Sequence, residues 1–419
     1  MIKNIFTLFF CFNLVVLASC QPPEQPTNIS LSGESYDPPN STDTRSKPIL
    51  FQKRKTFQVN GIYVSNEFYG GRIDNVQADN RKKNSLIITI APENFPINHS
   101  AWYAFRIWSD EEKDVSIKLI YKEGRHRYIP KISSDGENWK TISSQYFRHN
   151  ERKETAELQL RVSPNSLWIS AQELMTSKEV FAWADTLQQM EYVTGDTVGY
   201  STLNKAIRVL KIAETEQKNI VIVLSRQHPP EVTGQFAAQY FVETILDSSD
   251  LARRFRKKFQ VIAFPLINPD GADQGHWRHN VGGVDLNRDW HKFRQPETKN
   301  VSEYLKKELL NDSTRVWYGF DFHSTGSDIL YPISNDYIPD ESSITRLWID
   351  NMNLRLPNKW EEEPFDISSP IAKNWIYRTF GAEAITYEIG DETPRDFVKL
   401  KSKIAAEEMM KILLIRVNR

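Results

Sequence analysis

The sequence predicts an α/β body, a mixed and mostly parallel sheet flanked by helices, preceded by a small all-β sandwich. Three observations carry that expectation. Residues 51–162 are filled by short alternating or apolar runs joined by turns, with almost no helical periodicity. After Ser163, strand-like runs alternate with amphipathic stretches, the pattern of a sheet with helices on both faces. At 419 residues the chain also exceeds one ordinary core, so two domains are expected.

The chain opens on "MIKNIFTLFFCFNLVVLASC": a lysine, an apolar stretch, then small residues before Cys20. This reads as a secretory signal over residues 1–20. Leu17-Ala18-Ser19-Cys20 is similar to the bacterial lipoprotein cleavage box, which implies lipidation of Cys20 and a membrane anchor on the bacterial cell envelope. Residues 21–48, rich in Pro, Ser, Thr and Asn, carry too little apolar surface to fold and read as a tether. Residues 49–163 form the predicted β-sandwich, with strands in "SLIITIAP", "WYAFRIWS", "VSIKLIY" and "AELQLRV" and an Asp-Gly hairpin turn in "SSDGENW". Residues 164–419 form the predicted catalytic domain. Its strands fall at 207–212, 220–224, 261–267, 317–322 and 384–389. One helix follows Glu231, and the last starts at Thr393-Pro394 with proline at its first position.

Composition narrows the function. With 40% hydrophobic and 26% charged residues and a net charge of -1, the chain has no basic excess to hold nucleic acid. Both cysteines, Cys11 and Cys20, lie in the signal. The mature body therefore has no disulfide, no thiolate nucleophile and no cysteine metal ligand. Any metal must be held by His, Asp or Glu.

Four predicted strands end in chemically active residues. "VIVLSRQHPPE" runs into His228 and Glu231, and its two prolines place the pair in a turn that opens a helix. "VWYGFDFHS" stops at His323, "AITYEIGDE" at Glu388, and "VIAFPLINPDG" at the turn Asn268-Pro269-Asp270-Gly271. Open α/β sheets bind ligands outside the carboxyl ends of their strands. Two imidazoles and a carboxylate are the ligand set of a catalytic zinc, and a second glutamate supplies a base. An unpaired carboxylate in an apolar strand, as at Glu388, needs a cation or a job. Between residues 275 and 290, Asn287-Arg288 offers an amide beside a guanidinium suited to a carboxylate, and Arg278 adds a second fixed cation. This set suits hydrolysis of a peptide bond beside a free C-terminus.

His228-Pro-Pro-Glu231, Asn268-Pro-Asp-Gly271, Arg278, Asp285-Leu-Asn287-Arg288, "QPET", His323-Ser324 and Glu388, in that order, resemble the zinc metallocarboxypeptidases of the carboxypeptidase A type. The nine-residue step from Arg278 to Asn287 and the preceding β-domain resemble the cytosolic carboxypeptidase branch more closely. The resemblance implies one zinc per chain, bound by His228, Glu231 and His323, with Asp285 orienting His228. It implies that Asn287 and Arg288 hold the substrate's terminal carboxylate, that Arg278 stabilises the oxyanion, and that Glu388 is the base. The family's mobile tyrosine has no counterpart in "EEEPFDISSPIAKNW", which carries Phe365 and Asp366 instead. Trp375 stands thirteen residues before Glu388, which puts Lys373 at the floor of the side-chain pocket and implies a preference for acidic C-terminal residues.

Two other readings stand beside this one. The same chemistry could trim cell-wall stem peptides, or the chain could be an inactive peptide-binding envelope protein; the intact set His228, Glu231, His323 and Glu388 argues against inactivity. His276, His279 and His291 crowd the loop around Arg278 without carboxylates at ligand spacing, and are read as structural or substrate-facing.

Overall fold

The computed structural model describes residues 44, 47–334, 336–338, 343–364 and 367–418. The predicted signal with Cys20, nearly all of the tether, and Phe365 and Asp366 lie outside the described residues.

Alternation of apolar and polar residues lets each strand of the amino-terminal region turn one side inward. In Lys113–Tyr121, for instance, Val115, Ile117, Leu119 and Tyr121 are buried while the residues between them are not. Two sheets result. The six-stranded sheet has the order Thr56–Val59, Ile62–Ser65, Ala104–Ser109, Leu167–Ser170, Lys131–Ser133, Lys140–Thr141. The five-stranded sheet has the order Asn75–Ala78, Ser85–Ile90, Lys113–Tyr121, Thr155–Val162, Phe147–His149. Asp135-Gly136 turns the hairpin between Lys131–Ser133 and Lys140–Thr141: Gly136 takes φ 82°, and the Asp135 carboxylate accepts the N–H groups of Glu137 and Asn138. The strand Leu167–Ser170 pairs with Ala104–Ser109 and Lys131–Ser133, so the sandwich continues past the boundary expected at Ser163. Four residues are too few to show a period.

The second region is built on an eight-stranded mixed sheet, ordered Val193–Tyr200, Ala206–Ile212, Gln260–Phe264, Asn219–Ser225, Arg315–Thr325, Glu383–Gly390, Ile329–Tyr331, Glu361–Glu362. Its four central strands, from Gln260–Phe264 to Glu383–Gly390, run parallel. Buried on both faces, they read as continuous apolar runs; Asn219–Ser225 is buried at every residue after Asn219. Helices Val232–Leu246, Ile344–Arg355 and Arg395–Val417 cover one face around Phe241, Phe320, Trp348 and Met409. Pro296–Leu309 and Ala372–Phe380 cover the other around Ile222, Phe264, Leu305 and Ile376. Pro394 is the N-cap of the last helix, which starts at Arg395, one residue later than expected. The edge strand Val193–Tyr200 escaped the sequence reading because "VTGDTVGY" is polar and mostly exposed.

The two regions are not separate bodies. Val180, Val232, Leu266, Ala272 and Trp277 of the second region complete the apolar core of the sandwich. Among the described residues no helix is long and apolar enough to cross a membrane.

Candidate metal centre

The site forms where the parallel strands end. Asn219–Ser225 runs into Arg226, whose φ of 59° is one a non-glycine residue keeps only when held there. It is held: Arg226 Nε donates to the Pro229 carbonyl at 2.8 Å, and Nη2 to that of Met175 at 3.0 Å. The chain then turns through His228 and two prolines to Glu231, the N-cap of Val232–Leu246. Asn268, at the end of the neighbouring strand, braces this turn by donating its Nδ2–H to the Gln227 carbonyl at 3.0 Å.

The strand Arg315–Thr325 brings His323 to the same edge, paired in register with Glu388 of Glu383–Gly390. Gly234, in the first turn of the helix after Glu231, permits the approach. A Cβ there would lie 2.4 Å from the His323 carbonyl oxygen, well inside contact distance, so only glycine lets the helix press on this strand.

His228, Glu231 and His323 are 3%, 5% and 0% exposed. His228 Nδ1 lies 2.8 Å from Glu231 Oε1, His323 Nδ1 lies 2.7 Å from Glu231 Oε2, and the two Nδ1 atoms are 3.2 Å apart. One ligand atom from each residue lies within 4.8 Å of the others, the one such group of three among the described residues. The outer nitrogens are taken. His228 Nε2 meets Asp285 Oδ1 at 2.9 Å, and His323 Nε2 meets Asp321 Oδ2 at 2.9 Å. With the proton of each ring outward, both Nδ1 lone pairs face the carboxylate and each other. Such an arrangement repels itself unless a cation sits between, and two nitrogens plus one carboxylate oxygen are donors that zinc accepts. Without a metal, protonated imidazole takes that cation's place: burial opposes the Glu231 charge, but His228 and His323 outweigh it and hold the carboxyl well below its ordinary range.

A cleft of about 200 Å³ opens beside these ligands, lined by His228, Arg278, Asn287, Arg288, Tyr331, Glu363, Ile371, Thr386 and Glu388. Glu388 Oε2 is buried and has no hydrogen-bond partner among the described residues. Burial, reinforced by the Glu231 charge, pushes its pKa up to about 7. Arg278 Nε donates to Asp285 Oδ2 at 2.7 Å, so one carboxylate orients both His228 and the guanidinium. The Asn287 side chain lies in the cleft with its Oδ1 accepting the Ala372 N–H at 2.9 Å, and Arg288 Nη1 donates to the Asn287 carbonyl at 2.8 Å.

Residues 180–408, more than half of the chain, match the zinc carboxypeptidase family, and residues 64–171 match the cytosolic carboxypeptidase N-terminal domain. The chain belongs to the zinc carboxypeptidase family. It is 22% identical over 334 residues to cytosolic carboxypeptidase 6 of Caenorhabditis elegans, covering 72% of this chain and 71% of that one. It is 26% identical over 274 residues to an uncharacterized protein of Zymomonas mobilis, covering 62% of this chain and 67% of the relative. Its fold is similar to that of a metallo-carboxypeptidase from Burkholderia cenocepacia, with a TM-score of 0.69 at 17% identity over 85% of this chain and 99% of that one.

The structure of this carboxypeptidase brings together His228, Glu231, His323, Asp285, Arg278, Asn287, Arg288 and Glu388. Lys373 lies in the first turn of the adjoining helix Ala372–Phe380, fully buried, and donates from Nζ to the Pro332 carbonyl at 2.9 Å; it is not among the described residues that line this cleft. The helix Ala372–Phe380 has a buried first turn, and its Trp375 packs against Trp290 with ring centroids 5.1 Å apart. Tyr331, Thr386 and Glu363 form that wall of the cleft instead. Asp321 was missed by the sequence reading, although a signal existed: it stands two residues before His323 on one strand and so shares its face. Gln227 completes this brace, donating from Nε2 to both Asp321 oxygens at 2.8 and 3.0 Å.

Proposed function

We propose that this zinc carboxypeptidase removes the C-terminal residue of peptides that end in a free carboxylate, with Glu388 as the proton carrier. One observation carries the reading: Glu388, whose buried Oε2 has no partner among the described residues, lines the same cleft as the ligand His228 and two arginines. When bound by His228, Glu231 and His323, zinc supplies Lewis acidity toward the scissile carbonyl and a lowered pKa for water. Asn287 and Arg288 take the substrate carboxylate and so register the last peptide bond against the triad. Arg278, fixed by Asp285, donates to the oxygen on which negative charge develops. Glu388 accepts a proton from the attacking water and hands it to the departing amine; a pKa near neutrality suits both transfers.

Glu388→Gln tests this reading. It should keep about one zinc per chain and lose about 10²–10⁴-fold in turnover; near-normal turnover would remove Glu388 from the mechanism. An acidic C-terminal preference remains part of the proposal. Peptides ending in Glu, Asp, Leu and Lys decide it, and Lys373→Ala should leave their ranking unchanged. Anchoring of the chain to the bacterial cell envelope through lipidated Cys20 belongs to the same proposal and is supported by residues 17–20. Metabolic labelling with a radioactive fatty acid should mark the wild type and not Cys20→Ala.

A further inference from the structure

The loop that carries Arg278 is held by the β-sandwich as well as by its own domain. Glu93, which follows the strand Ser85–Ile90, is fully buried. Its Oε2 accepts the Trp277 N–H at 2.7 Å, and its Oε1 accepts those of Arg278 at 3.0 Å and His279 at 2.7 Å. Three consecutive amides thus converge on one carboxylate, an arrangement that fixes the orientation of the peptide planes on both sides of Arg278. Asn94 continues the grip. Its Oδ1 lies 2.6 Å from His279 Nδ1, and its Nδ2 donates to the Gly283 carbonyl at 3.2 Å.

The residue before Arg278 is locked as well. Trp277 is fully buried in the sandwich core, its Nε1 donates to the Trp102 carbonyl at 3.1 Å, and a Cβ on Gly124 would lie 2.3 Å from its ring. The Arg278 side chain is held by Asp285 and its backbone amide by Glu93, from two different regions of the chain.

We propose that Glu93, assisted by Asn94, is a positioning residue for catalysis: through the amides of residues 277–279 the β-sandwich sets where the Arg278 guanidinium points in the cleft. This rests on the role given to Arg278 above. Burial opposes the Glu93 charge, but at the acid pH where the carboxyl titrates the protonated His276 and His279 imidazoles, with Arg72 and the Trp277 amide, outweigh it and keep it below its ordinary value. The group stays an anionic acceptor for those amides.

The test uses the zinc-loaded full chain and the peptide it cleaves fastest, with Glu93→Gln and Asn94→Ala each made alone and on Arg278→Ala. Alone, Glu93→Gln should lower kcat about 10–100-fold, with KM within about threefold and zinc content unchanged. On Arg278→Ala it should cost less than about threefold more, because the residue it positions is gone. Asn94→Ala, which leaves the Glu93 amides intact, should follow the same pattern with a smaller loss, and it carries the comparison if Glu93→Gln fails to fold. Losses that multiply in full on Arg278→Ala, or that come with loss of zinc, would overturn the inference and leave Arg278 in place. An Arg278→Ala enzyme with normal turnover would instead remove the arginine from the mechanism and the inference with it.

Discussion

Two places in this molecule bury two histidines and a glutamate together, and they do opposite things. At the metal centre, His228 and His323 turn their Nδ1 atoms toward Glu231, and both outer nitrogens are spent on Asp285 and Asp321. Around the Arg278 loop, His276 Nδ1 meets the His279 carbonyl at 2.9 Å, His279 Nδ1 meets Asn94, and Glu93 gives both oxygens to backbone amides. The electrostatic outcome differs accordingly. Burial drives the pKa values of His276 and His279 down to about 4, so both rings stay neutral at physiological pH. Burial also works against a charge on His323, yet Asp321 and Glu231 raise its pKa well above the ordinary value. Residue types alone therefore do not make a metal site. Outer-sphere carboxylates that aim the lone pairs inward do.

The sharpest way to break this comparison is to exchange the fates of the two clusters. His323→Ala should abolish stoichiometric zinc and turnover together, whereas His276→Gln and His279→Gln should each keep about one zinc per chain by metal analysis. Zinc lost from the second pair of variants would show that the loop histidines are ligands after all. Next in size is the brace. Asp321→Asn leaves all three ligands in place and should weaken zinc binding about 10–100-fold in a chelator competition; unchanged affinity would reduce Asp321 to a packing residue.

The smallest expected effect concerns a third buried acid, Glu297, which has no ion-pair partner among the described residues. Its Oε2 accepts the Asn280 Nδ2–H at 2.9 Å while Oε1 is buried without a partner among the described residues. Burial, with the nearby Asp270 charge, raises its pKa to about 7. The folded state therefore binds the proton more tightly than the unfolded chain does. Stability is favoured below the unfolded pKa and falls as pH rises through about 7, where the folded carboxyl finally ionises. Glu297→Gln should raise stability at pH 8 by roughly 2 kcal/mol in urea unfolding and change it little at pH 5. An equal effect at both pH values would show that the gain is packing, not titration.

Much of the site was legible in the sequence because its ligands sit at strand ends, where an apolar run that stops on His or Glu is conspicuous. His228, His323 and Glu388 were found that way, and Glu231 from its spacing to His228. Lys373 shows the limit. Its number along the chain placed it at the cleft floor, but whether a side chain enters a cleft depends on which face of its helix the core claims. Glu93 and Asp321 show another. They act across 184 and 2 residues of sequence, the first too distant for any local pattern and the second overlooked beside a more obvious neighbour. The fold's strands were read where both faces are buried and missed where an edge is polar, as at Val193–Tyr200.

The shared core has a consequence for how this chain came to be built. Trp277, Leu266 and Val232 fill the interior of the sandwich from the far side of the sequence. A fragment ending at the last sandwich strand would be left with an apolar socket open to water. The two parts are therefore poor candidates for shuffling: inheritance would have to pass the tryptophan and its socket on as a pair.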